Sequence, residues 1–168
     1  MEDRKVRHAR QAAAEIEGSS RYPHLKGNVQ FFQMKNGVAV AAEFTGLPVP
    51  QSREKSGQRN NAQIFAFHIH EGESCTGNET DPFADAKGHY NPGQLPHPLH
   101  AGDLPPIFGN SGQAQLLFVT DRFTVDDLIG RTVIVHGQPD DFTTQPSGNA
   151  GEKIGCGIIV PAYGERAL

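Results

Sequence analysis

Apolar and polar residues alternate with a period of two over several short stretches of this chain, and turn-forming residues separate the stretches. Residues 27–34 form the first such run. A Lys35-Asn36-Gly37 turn and a second run over 38–44 follow, and together they predict a hairpin. Further strands are expected at 63–70, 113–120, 132–137 and 153–160. Ahead of them Val6, Ala9, Ala13 and Ile16 recur at helical spacing and Gly18 follows as a stop, which predicts a helix over 2–17. Its apolar stripe is thin, so this helix would need the protein body or a partner to hold it. Residues 1–22 are therefore expected to form a helical extension, and 23–168 one β domain without internal repeats. Short strands with Gly/Pro turns predict an all-β, Greek-key barrel or sandwich of immunoglobulin-like type, with about eight antiparallel strands.

Two stretches, 71–110 and 138–151, break this rhythm, and the polar run 48–61 reads as a third loop. Structureless loops longer than about 12–15 residues are usually functional or disordered. The composition sharpens the picture. Nineteen glycines and twelve prolines in 168 residues, with only 20% charged residues, exclude a coiled coil or long helical bundle. Ten phenylalanines lie in short runs with Val and Ile, which argues against disorder. No apolar run approaches the ~18 residues of a membrane span. A net charge of −4 makes nucleic acid a poor partner. The first twenty residues contain no apolar leader core, which predicts a cytoplasmic location. Cys75 and Cys156 are either free thiols or one bridge. A bridge closing so long a loop would stabilise the fold by roughly 4–5 kcal/mol, yet such bridges are rare in a reducing cytoplasm.

Histidine carries the chemistry. Six of the eight histidines fall between positions 68 and 136. In Phe65-Ala-Phe67-His68-Ile69-His70 the strand period turns Phe65, Phe67 and Ile69 to one face and both histidines to the other. Two imidazoles so placed can share one metal ion. His89, His97, His100 and Asp103 follow within fifteen residues. Three imidazoles and one carboxylate form a closed tetrahedral set suited to structural Zn²⁺. His136 ends the strand Thr132-Val-Ile-Val-His136 on the face opposite Val133 and Val135. Beside His68 and His70 it would complete a nitrogen-rich site suited to Cu²⁺.

These segments resemble the copper/zinc superoxide dismutases, from about residue 27 to 162. The carriers are Phe67-His-Ile-His-Glu71, Gly88-His-Tyr-Asn-Pro92, His97-Pro-Leu-His-Ala-Gly-Asp-Leu-Pro105, Gly130-Arg-Thr-Val-Ile-Val-His136 and Gly148-Asn-Ala-Gly-Glu-Lys-Ile-Gly-Cys-Gly157. The short His97-to-His100 spacing is similar to the bacterial branch. The resemblance implies copper at His68, His70, His89 and His136, and zinc at His89, His97, His100 and Asp103, with His89 shared. It implies a Cys75–Cys156 disulfide and a carboxylate, Asp140, linking His68 to His97. The implied reaction is disproportionation of superoxide to dioxygen and hydrogen peroxide, an antioxidant activity, with copper cycling between Cu(II) and Cu(I) and zinc structural. His89 would carry a proton and a cation three residues before the second cysteine would guide the anion. That cation is usually arginine; here it is Lys153, a flexible point donor rather than a planar fork, so the expected activity is retained but reduced. Lys87 is the other loop cation near the site, and Ser147 stands where the family has a channel hydroxyl. A non-catalytic relative that only binds zinc or copper is the alternative. Family members differ in assembly, so a homodimer stays open.

Overall fold

The computed structural model describes residues 10–49 and 63–162. Among the described residues, ten strands and one short α-helix are ordered β1 (Gln11–Gly18), β2 (Lys26–Met34), β3 (Gly37–Thr45), β4 (Gln63–Phe65), β5 (Phe67–His70), β6 (Ile107–Gly109), β7 (Ala114–Thr120), α1 (Val125–Leu128), β8 (Thr132–His136), β9 (Lys153–Ile158) and β10 (Val160–Pro161), with a single 3-10 turn at Ala84–Ala86 between β5 and β6. The main sheet runs β5-β8-β9-β1-β2-β3-β7, with β10 beside β1 and every pairing antiparallel. A separate β4–β6 ribbon connects its two edges in sequence: β4 runs into β5 across Ala66, and β6 turns into β7 through the Asn110–Gln113 bridge. The result is a curled, almost wholly β body, as the alternation predicts.

The expected N-terminal helix is corrected over 11–18, which is strand β1; residues 2–9 lie outside the described residues. Ala12, Ala14 and Ile16 alternate inward, so a period of two describes this stretch better than the helical one. Alanine and glutamate favour helices in isolation, but a full ladder from Gln11↔Phe32 to Glu17↔Lys26 satisfies the backbone here. Tertiary pairing overrides local propensity. The boundary expected at 22 consequently falls inside the turn between two paired strands, and β1 belongs to the barrel. Of the polar loop 48–61, residues 50–61 lie outside the described residues. Smaller differences are a break at Ala66, which splits 63–70 into β4 and β5, and strand β6 inside a stretch expected to be irregular.

One apolar cluster fills the interior. It includes Phe31, Phe44, Phe67, Ile69, Val133, Val135 and Ile154. A second, small cluster of Phe83, Ala86, Ile134 and Cys156 lies under the loop that follows β5, with Cys75 against it. The two faces of β8 thus serve different ends: Val133 and Val135 enter the main core, whereas Ile134 anchors the loop. The Cys75–Cys156 disulfide ties that loop to β9 across 81 residues of sequence.

Candidate metal centre

Four segments bring the histidines together. His68 and His70 lie on β5, on the face opposite Phe67 and Ile69, yet both are buried because the long loops cover that face. Their segment is bridged by the loops themselves, His68 to Asp103 and His70 to His89. His136 closes β8, where the β8–β9 register slips between Val135 and His136. Such a bulge re-aims the side chain that follows it. His97, His100 and Asp103 come from one compact turn. A single nitrogen of Arg122, Nη1, donates to the carbonyls of Pro98, His100 and Asp103 at 3.1–3.2 Å.

Two donor groups result: His68, His70, His89 and His136, and His89, His97, His100 and Asp103. Within each, one ligand atom per residue lies within 4.8 Å of all the others. His70 Nε2 and His136 Nε2 are 3.2 Å apart, and His89 Nδ1 and His100 Nδ1 are 3.3 Å apart. Two nitrogens bound at ~2.0–2.1 Å to one ion sit about 3 Å from each other, so these spacings are those of a ligand set. The outward-facing nitrogens are already engaged. His70 Nδ1 donates to the Lys87 carbonyl at 2.7 Å and His136 Nδ1 to that of Gly151 at 3.2 Å. His68 Nε2 and His97 Nε2 each donate to Asp140, at 2.8 Å. This leaves His68 Nδ1, His89 Nε2 and His97 Nδ1 buried without a hydrogen-bond partner. Buried polar atoms are rarely orphaned. Three in one cluster, each on a ring whose other nitrogen is held, fit metal coordination.

The electrostatics agree. Burial lowers the His68, His70 and His100 imidazoles below their usual range and takes His136 down to about 3, with neighbouring histidines adding to the effect. Neutral imidazole is the form that binds metal. Burial alone would raise the Asp140 carboxyl. The hydrogen bonds from His68, His97 and the Phe142 N–H outweigh it and hold the group well below the carboxylate range. Asp103 behaves likewise, with burial opposed by His89, His97 and His100. Asp140 therefore stays ionised and fixes the tautomer of one histidine in each donor group.

All the candidate ligands converge, and Asp140 lies between His68 and His97, 2.8 Å from a ring nitrogen of each. Lys153 and Lys87 line a cleft of about 700 Å³ together with His70, His89, His136 and Ser147. Lys153, however, is bonded to Asp81 Oδ2 at 2.6 Å. Asp81 and Arg122 were not legible as parts of the site, because their partners lie 72 and about 20 residues away along the chain. Arg131 is stacked 3.8 Å over the ring of Tyr90, next to His89.

Comparison with known proteins agrees with this geometry. The model of the family described as copper/zinc superoxide dismutase matches residues 25–159. Superoxide dismutase [Cu-Zn] 1 of Aquifex aeolicus is 35% identical over 149 residues, 79% of each chain. Superoxide dismutase [Cu-Zn] 2 of the same organism is 34% identical over 79% of this chain and 78% of its own. Superoxide dismutase [Cu-Zn] of Deinococcus radiodurans is 32% identical over 80% of this chain and 77% of its own.

Proposed function

The chain belongs to the copper/zinc superoxide dismutase family, and from that premise we propose that it converts two superoxide anions and two protons into dioxygen and hydrogen peroxide. The observation that carries the reading is the pair of donor groups joined through His89, with three buried ring nitrogens that make no hydrogen bond, one of them, His97 Nδ1, 3.1 Å from its fellow ligand Asp103 Oδ2. We assign His68, His70, His89 and His136 to copper and His89, His97, His100 and Asp103 to zinc. Bound copper supplies the one-electron exchange with superoxide, and bound zinc holds His89 and its loop in place.

The chain's own residues do the rest. His89 is fixed at Nδ1, 2.7 Å from Asp103 Oδ1, and lines the cleft, so its Nε2 is where we place the proton delivered to the reduced anion. Asp140 keeps His68 and His97 oriented. Lys153, opposite His136 in the β8–β9 ladder, supplies the cation met by the substrate. Its three N–H donors are partly used, on Asp81 and on the Phe83 carbonyl. An arginine there could hold both and still present further donors. Lys153→Arg at equal metal loading is therefore expected to raise turnover, and an unchanged or lower rate would overturn this role. Among the described residues no helix is long and apolar enough to cross a membrane. The reading extends to a homodimer, supported by Leu117 and Val119 of edge strand β7, 75% and 60% exposed. Sedimentation of the loaded protein tests it.

The deciding experiment combines elemental analysis with a superoxide-consumption assay. Copper and zinc at one equivalent each with rapid consumption supports the proposal. Full occupancy without consumption would make the chain a metal-binding relative instead.

A further inference from the structure

Lys153 does not stand free in the cleft. Its Nζ donates to Asp81 Oδ2 at 2.6 Å and to the Phe83 carbonyl at 3.2 Å, and its side chain is 14% exposed against 38% for Asp81. Asp81 is built to hold it. Asn78 Oδ1 accepts from the N–H groups of Thr80 and Asp81, and the Asp81 carbonyl accepts from the N–H groups of Asn78 and Ala84. Asp81 Oδ1 accepts from the Phe83 N–H at 3.1 Å, which fixes the carboxylate and leaves Oδ2 for β9. The loop bearing Asp81 is also tied to β9 by Cys75–Cys156, three residues beyond Lys153. Both members of the pair line the cleft with His70, His89 and His136. Glu152, next in sequence, is occupied by Arg21 at 3.0 Å and by Tyr22. Among the described lysines and arginines lining the cleft, Lys87 is the one without an ion pair.

A paired ammonium and carboxylate attract an incoming anion far less than an ammonium alone, because the two fields nearly cancel beyond the length of the pair. Resting on the role proposed above for Lys153, we propose that Asp81 is a positioning residue that sets the cleft's affinity for small anions. It holds the Lys153 ammonium against the wall and offsets its charge at a distance, so that Lys153 acts on an anion at contact while Lys87 is left as the cation that draws anions in. The protein thereby trades anion affinity for a second fastening of the loop.

The test is a titration of copper- and zinc-loaded protein with azide, followed on the visible absorption, for wild type, Asp81→Asn, Lys153→Met and the double variant. Asparagine keeps an acceptor for the Phe83 N–H and replaces the oxygen facing Lys153 by an NH2 that cannot accept from it, so the charge and the tether are lost together; Asp81→Ser also removes the charge, with a shorter side chain, and serves should the first variant fold poorly. Asp81→Asn is expected to tighten azide roughly three- to tenfold, and this gain should shrink severalfold in the Lys153→Met background. The superoxide rate of Asp81→Asn should also fall more steeply with added salt. Unchanged azide affinity would overturn the inference. So would equal tightening with and without Lys153, since Asp81 would then act as a background charge rather than through its partner. Azide reports on the cleft whether or not superoxide is turned over, so an inactive wild type would count against the proposed activity alone.

Discussion

Gly148 shows how little room the histidine network leaves. Its φ is +67°, and a Cβ there would lie 1.9 Å from Asp140 Oδ1 and 2.6 Å from His97 Nε2. Only glycine combines that backbone with that approach. Gly148→Ala should push Asp140 off His97, and Asp140→Asn should weaken the same bond by removing its charge. Each is expected to lower zinc affinity by about 10–100-fold, measured by competition with a chromophoric chelator; affinity equal to wild type in both would show that Asp140 does not orient the ligands. Protonation provides a second check. His136 is held at about 3, below its unfolded value of about 6.5. The unfolded chain therefore takes up the proton first, and metal-free protein should lose stability as pH falls from about 6.5 towards 3. His68, His70 and His100 act in the same direction. Asp140, lowered, adds a further loss below the ordinary carboxylate range. Urea midpoints of metal-free protein between about pH 7 and pH 4 measure the slope. At this scale the ligands were legible, because histidine is rare and the spacings are distinctive. Asp81 was not, because nothing in its neighbourhood announces a partner 72 residues away.

Among the elements, β1 is where the sequence misleads. Ala13 and Ile16 satisfy a helical spacing and Ala12, Ala14 and Ile16 an alternating one, so the same short run supports both periods. The pairing that decides between them comes from β2 on one side and from β9 and β10 on the other, outside any local window. By contrast β2, β3 and β7 alternate cleanly, with their turn residues in place, and were legible to within a residue or so. The placement of β1 changes what a truncation should do. As a dispensable helix, residues 1–20 could be removed with little effect on the body. As a strand between β9 and β2, β1 buries Ala12, Ala14 and Ile16 and completes the sheet. Deleting residues 1–20 is therefore expected to abolish cooperative unfolding and to yield aggregated protein, as seen by circular dichroism and size-exclusion chromatography. A soluble truncated chain with native metal content would contradict this placement.

For the molecule as a whole, a strand frame supports loops with little core of their own. The second apolar cluster has four buried members, and the loops are fastened further by the disulfide, the Asp81–Lys153 pair, hydrogen bonds from Arg122 and the strand backbone, and the two donor groups. Loops that depend in part on bound metal for their fastening open below the global unfolding free energy once the metal is gone. Stripping the metals should accelerate amide exchange across 71–106 and 137–152 while β2 and β3 keep their protection, which mass spectrometry can read segment by segment. Equal acceleration everywhere would show that frame and loops unfold as one unit. Asp140 adds a consequence that neither donor group has alone. It touches His68 in one and His97 in the other, and His89 belongs to both. Filling either group restrains side chains that the other must restrain to bind. The two affinities are thus thermodynamically linked, and linkage is reciprocal: the factor by which zinc strengthens copper binding equals the factor by which copper strengthens zinc binding. The centre should load cooperatively, with half-filled molecules scarce at limiting metal.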